Sequence, residues 1–195
     1  MESILKLHAS RPSIVDALRS KDASIGLQVA GVVGFALLTA LGSQVRLYLW
    51  EIPFTLQTLA VYGSGLYLGA RNGLFAQLLY LCLGLFLPVY AGPEYGFSFL
   101  LTGVTAGYLI GFPVAAFLAG LVSNRWNGPV GSVLSLAVGS IALFTLGVTW
   151  LHYAMGHATW FESIDKGWIR FVGVDVAKIL LVSMIYSGSR SLSRK

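Results

Sequence analysis

The chain has 195 residues, 56% of them hydrophobic and only 11% charged, with a mean hydropathy of +0.75. Soluble domains carry about 25% charged residues, so a water-soluble globule, a disordered chain and a nucleic-acid binder are all excluded; the net charge of +5 has no basic cluster to carry it. A lone cysteine, Cys82, rules out a disulfide scaffold, and what remains is an integral membrane protein.

In chain order, residues 1–22 mix four basic and three acidic side chains and read as a cytoplasmic N-terminal arm. Ser10-Arg-Pro-Ser is placed to start a short amphipathic helix there, using Ile14, Val15 and Leu18. Between Asp22 and Glu162 only five formal charges occur: Arg46, Glu51, Arg71, Glu94 and Arg125. A membrane-crossing helix needs about 20 apolar residues. The charge-free intervals 23–45, 52–70, 72–93, 95–124 and 126–161, with a last apolar stretch from Phe171 to Tyr186, supply six candidates. Backbone groups in lipid must be satisfied within the segment, so runs of this length predict helices; the alternating ten-residue pattern of a barrel does not occur. The expected fold is therefore an all-α membrane protein, a single six-helix bundle over residues 23–195.

Turn chemistry adds boundaries. Pro53 is placed to open the second span and Pro129 the fifth, positions where a missing backbone donor costs little. Pro88, Gly92 and Pro93 close the third, and Pro113 predicts a kink or a late start in the fourth. In the first span, Gly26, Ala30, Gly34, Ala36 and Ala40 recur at spacings that let helices approach closely, either inside the bundle or against a partner membrane protein. Even-numbered loops and both tails hold nine Lys and Arg residues and odd-numbered loops three, which places both termini in the cytoplasm of a multi-pass cell-membrane protein.

The chemical anomaly lies in the last span. Asp175 and Lys178 are three residues apart and project from one helix face. Either charge near the bilayer centre costs about 2.5–3.5 kcal/mol on insertion scales. Three readings stand at this point: a self-neutralising pair with Lys178 snorkelling outward, a proton relay, or a ligand site. In the last, Lys178 meets a ligand carboxylate while Asp175 orients an ammonium or accepts a ligand N–H. Gln57 is a hydrogen-bonding amide in an apolar segment, serving a neighbouring helix or a cavity. The connection from Pro88 to Tyr108 is rich in Gly, Pro and aromatics and has Glu94 as its one charge. Within it Thr105, Ala106 and Gly107 permit close backbone approach, and Tyr108 is amphipathic. His152 and His157 are five apart, the wrong spacing for a helical metal pair, and the stretch 152–169 reads as an interfacial lid or belt. Walker, G-x-S-x-G and H-E-x-x-H motifs are absent, so no catalytic residue, metal or cofactor is expected.

Five stretches line up in order with one family: Pro53-Phe-Thr-Leu-Gln-Thr-Leu-Ala-Val, Leu68-Gly-Ala-Arg-Asn-Gly, Tyr80-Leu-Cys-Leu-Gly-Leu-Phe-Leu-Pro-Val-Tyr-Ala-Gly, Thr105-Ala-Gly-Tyr-Leu-Ile-Gly-Phe-Pro and Asp175-Val-Ala-Lys. Over residues 25–187 the chain resembles the BioY family, the biotin-specific substrate-capture (S) components of energy-coupling-factor (ECF) transporters. The resemblance implies six helices around an outward-facing pocket for one biotin. It implies that Lys178 binds the valerate carboxylate with Asp175 beside it, that Glu94 contacts the ureido ring, that Thr105 and Tyr108 close the pocket, and that Gln57 lies near its wall. It further implies a transmembrane coupling protein and paired ATPases as partners, docking on the first helix at Ala36 and Ala40. The sequence departs from the family pattern around Val104–Gly107, at Pro93-Glu-Tyr and at Arg170-Phe-Val-Gly-Val ahead of Asp175. The alternatives are an S component for another carboxylated vitamin or precursor such as dethiobiotin, and a small intramembrane enzyme.

Overall fold

A computed structural model of the chain describes residues 14–20, 23–48, 52–126 and 128–192. Its elements run α1 (Ile14–Arg19), α2 (Ile25–Gln44), β1 (Arg46–Leu47), β2 (Phe54–Thr55), α3 (Gln57–Gly84), α4 (Gly96–Thr102), α5 (Ala106–Arg125), α6 (Pro129–Met155), α7 (Trp160–Gly167), a 3₁₀ turn (Ile169–Phe171) and α8 (Val172–Leu192). Ile14–Arg19 falls where the arm helix is expected; the rest of the arm lies outside the described residues. Three of the helices, α2, α5 and α6, are long and apolar enough to cross a membrane by length and composition.

The 28-residue α3 is not a rod. At Gly69 the backbone takes φ 76° and ψ −179°, a conformation essentially confined to glycine. Beyond it the chain doubles back. Gln77 donates to Ser64 at 3.1 Å and Gln57 to Tyr80 at 2.6 Å. Residues 57 and 80 would stand about 34 Å apart on a straight helix at 1.5 Å per residue. Helix α3 is therefore two antiparallel arms, 57–68 and 70–84, turning two residues before Arg71. Helix α5 crosses against that turn: a methyl at Gly120 would collide with the Ala70 amide nitrogen.

Other boundaries differ from expectation for local reasons. Pro53 does not open a helix, because β1 and β2 pair antiparallel (Arg46 with Thr55, Leu47 with Phe54) and hold residues 54–55 extended; the helix starts at Gln57. In the fourth interval, Pro113 lies within α5 and the break falls upstream, at Gly103–Thr105 between α4 and α5. Pro129 does occupy the first turn of α6. Ser24 caps α2 by accepting from the Leu27 amide at 3.3 Å.

Burial runs opposite to that of a soluble protein. Large apolar side chains such as Val29, Leu37, Leu41, Ile141, Leu180 and Met184 face outward. The interior holds Thr39, Gln57, Ser64, Gln77, Ser132, Ser135, Ser140 and Asp175 beside its aliphatic and aromatic core. This is the surface of a protein solvated by lipid, with its hydrogen-bonding groups turned inward. Ala36 is fully buried and Ala40 packs in part against the same core. Of the two expected docking residues, Ala36 packs wholly within the chain and Ala40 stays partly exposed, while Gly26 and Ala30 are the exposed small residues of α2.

One end of the bundle is tied by Arg19. Its guanidinium donates to the Leu66 carbonyl at 2.5 Å, the Tyr186 hydroxyl at 2.9 Å, Ser123 at 3.0 Å and Asn124 at 2.5 Å. These partners sit on α3, α5 and α8, and Asp16 pairs with Arg190 beside them at 3.2 Å.

Candidate functional site

Away from that end, near the start of α8, the helices enclose a cavity of about 70 Å³. Its wall includes Ile52–Thr55 from the strand pair, Gln57 and Thr58 of α3, Thr105, Tyr108 and Phe112 around the start of α5, Phe144 of α6, Phe171, and Asp175 and Lys178 of α8. The wall is chiefly aromatic and aliphatic, with polar groups at separate points. Ligand sites commonly measure about 300–1,000 Å³, so admitting a vitamin-sized molecule requires part of this wall to move. The parts outside the long helices are Ala91, Thr105, the β2 segment and the 3₁₀ turn, and in the last two Phe54 stacks on Phe171 at 4.3 Å between centroids.

Asp175 and Lys178 share the cavity but are held separately. Lys178 Nζ donates to the Thr55 carbonyl at 2.6 Å and to Thr58 Oγ1 at 2.9 Å. An ammonium has three donors, which leaves one N–H for a ligand. Asp175 is 7% exposed, and its two oxygens accept from Tyr62 Oη at 2.6 Å and Ser140 Oγ at 2.5 Å. Among the described residues there is no direct ion pair between Asp175 and Lys178. The self-neutralising reading is therefore set aside, because each charge has its own neutral hydrogen-bonding partners and both face the same space.

Gln57 combines its two expected readings. Buried at the start of α3, it lines the cavity, donates to Tyr80 and accepts from Thr55 Oγ1 at 2.9 Å. Tyr80 in turn donates to the Val89 carbonyl at 3.1 Å, so one chain of bonds ties β2, both arms of α3 and the following loop. Thr105 lines the cavity just before α5. Tyr108 presents its ring there, while its hydroxyl is committed to the Gly167 carbonyl at 2.7 Å.

Glu94 is not brought to this cavity. Tyr90 is fully buried against Gly84 and donates to the Leu81 carbonyl at 2.9 Å, and burial pushes its hydroxyl pKa up to about 12. That anchor turns Ala91 inward to line the cavity. At Gly92, with φ 138°, the chain swings out and leaves Glu94 exposed in a shallow depression with Tyr95, Ser98 and Thr102. In this conformation Glu94, expected at the ureido ring, lies outside the cavity.

His152 and His157 both meet Ser163 Oγ through Nδ1, at 2.9 and 3.0 Å, and His152 stacks on Trp160 at 4.0 Å. They fasten α7 over the end of α6, and no cluster able to hold a metal exists among the described residues. Sequence reasoning passed over Phe54, Phe144, Phe171, Tyr62 and Ser140. In a chain that is 13% aromatic, a single Phe or Tyr carries no local signal.

The fold and cavity define a class: a helical integral membrane protein with a cavity between its helices that carries a cation and an anion at separate points of a largely apolar wall. The model of the BioY family matches residues 17–195. The chain is 32% identical over 177 residues to the probable biotin transporter BioY of Lysinibacillus sphaericus, covering 85% of this chain and 89% of that protein. It is 35% identical over 152 residues to the probable biotin transporter BioY of Pyrococcus horikoshii, covering 77% and 88%. Its fold is similar to the crystal structure of an S-component for biotin from an ECF-type ABC transporter, with a TM-score of 0.77, 19% identity, and coverage of 90% of this chain and 100% of that one. The chain belongs to the BioY family.

Proposed function

We propose that this chain captures biotin in the cavity between Asp175 and Lys178 and serves as the substrate-binding S component of an ECF-type importer in the cell membrane. The observation that carries this reading is the separation of the two charges. Lys178 retains one N–H for a carboxylate, and Asp175 retains acceptor capacity for an N–H. Phe54, Phe112, Phe144 and Phe171 supply apolar wall in the same cavity. Biotin has the matching parts: an acidic tail, an apolar middle and a cyclic urea whose nitrogens donate. Thr105, Tyr108 and Gln57 shape the wall, and the Phe54–Phe171 stack is the segment that moves to admit the ligand.

In this reading the segments 52–68 and 70–93, each an arm of α3 with its flanking residues, pass through the membrane with α2, α5, α6 and α8, giving six passes in one domain preceded by the arm; neither helical arm reaches the about 20 residues of a lone span by itself. The end tied by Arg19, which also carries Arg125 and Arg190, faces the cytoplasm by the excess of basic residues there. The cavity then opens outward. Energy for uptake comes from a coupling protein and ATPases, since the chain has no nucleotide motif of its own.

Thermal unfolding of the purified protein tests the ligand. Biotin at 100 times its dissociation constant adds about 2.7 kcal/mol of apparent stability, so the midpoint rises with biotin and stays fixed with thiamine or riboflavin. No shift with biotin contradicts the reading, and a larger shift with dethiobiotin reassigns the substrate.

A further inference from the structure

Serine and threonine in helix α6 follow one habit with a single exception. Ser132, Ser135, Thr145 and Thr149 return their hydroxyls to carbonyls of their own helix, on Gly128, Gly131, Ile141 and Thr145, the usual resort of a hydroxyl inside an apolar helix. Ser140 instead reaches across to Asp175 Oδ2 on α8. From the other side, Tyr62 of α3 reaches Oδ1 of the same carboxylate. Tyr62 is fully buried and Ser140 is 6% exposed, and neither lines the cavity that Asp175 lines.

The terminal torsion of an aspartate is soft. One donor on each oxygen, delivered from two different helices, fixes the carboxylate plane. A carboxylate has about four acceptor positions, of which Tyr62 and Ser140 occupy two from behind. The remainder stay available on the cavity side. Both donors are neutral, so the negative charge is oriented and not cancelled.

We propose that Tyr62 and Ser140 are positioning residues that aim the Asp175 carboxylate at a ligand N–H and thereby set the selectivity of the site for ligands bearing that donor. The inference rests on the biotin reading above. A residue that merely supports packing weakens all ligands alike. A residue that aims an acceptor weakens ligands with the donor more than isosteres without it.

The test compares biotin with its two isosteric cyclic carbamates, in each of which one ureido N–H is replaced by oxygen, by equilibrium binding to the full chain in detergent. The wild type is expected to prefer biotin over at least one carbamate by about tenfold to a hundredfold, the range of one hydrogen bond to a charged acceptor. Tyr62→Phe and Ser140→Ala each reduce that preference about tenfold or more, and Ser140→Thr, which keeps a hydroxyl, retains most of it. Equal losses for biotin and both carbamates in Tyr62→Phe and Ser140→Ala overturn the positioning role while leaving biotin as the ligand. Failure of the wild type to bind biotin removes the reading beneath it as well. If Tyr62→Phe does not fold, the Ser140→Ala and Ser140→Thr pair decides the question alone.

Discussion

Replacing Lys178 by Met keeps most of the apolar stem and removes the ammonium. In the protein that ammonium has two of its three donors engaged, by the Thr55 carbonyl and Thr58 Oγ1, so the carboxylate of a bound acid receives a single charge-assisted hydrogen bond in a site largely shielded from water. Losing one partner of a buried, hydrogen-bonded charge pair costs about 2–5 kcal/mol. At roughly 1.4 kcal/mol per tenfold change, the dissociation constant for biotin rises about 30-fold to several thousandfold. Biotin amide has no negative charge to leave unpaired and loses only its bond from the ammonium, about 1.5–3 kcal/mol or roughly tenfold to a hundredfold, so the acid loses more than the amide. Isothermal titration of both ligands against wild type and Lys178→Met reads this difference directly. Equal losses for the acid and the amide would refute the assignment of Lys178 to the carboxylate and leave it a bolt between α8 and the Thr55–Thr58 segment.

Further expectations follow from individual positions. Gly69→Ala forces a Cβ into a backbone conformation that costs of order 1–3 kcal/mol, and a lowered unfolding midpoint checks it; no change would mean that α3 does not turn there. Ala36→Leu inserts bulk into a fully buried position and destabilises by about 1–3 kcal/mol, whereas Ala30→Leu on the exposed face leaves the melting temperature of the detergent-solubilised protein unchanged. Glu162, which accepts from Lys166 at 3.0 Å, has its pKa held below the ordinary carboxylate value by that bond. Its folded-state pKa is the lower one, so the contribution to α7 is complete above the ordinary glutamate range and is lost as pH falls through the depressed value. Protection factors for the α7 amides, corrected for the intrinsic slowing of exchange at lower pH, therefore fall on acidification, and Glu162→Gln removes the part of that fall that Glu162 causes.

Much of this architecture is legible before any coordinates, because charge is so costly in lipid that five residues punctuate the chain. Arg71 marks the turn of α3 to within two residues, and Arg125 ends α5. Asp175 and Lys178 stand out for the same reason. Less legible are features made by tertiary pairing. Phe54 and Thr55 are extended because Arg46 and Leu47 lie beside them, and Pro53 beside a helical run gives no hint of that. Glu94 stood out as the charge in a Gly- and Pro-rich loop, yet its position is decided by Tyr90, whose anchoring in Gly84 turns the next residues outward. Gly26, Ala30 and Gly34 form one small-residue series and Ala36 and Ala40 another on a different face, and only the packed helices show which series turns inward. Ser140 is 35 residues from Asp175 and Tyr62 is 113 away, separations at which sequence carries no pairing information without the fold.

Asp175 and Lys178 are proposed to receive opposite ends of one biotin molecule. A crystal structure of the full chain with biotin bound, at a resolution that separates the ureido ring from the valerate tail, tests it most directly. The expected complex has the carboxylate on Lys178 Nζ, a ureido nitrogen donating to Asp175, and the Phe54–Phe171 stack displaced or opened around the ligand. Biotin in the reverse orientation, or bound outside this cavity, would contradict it.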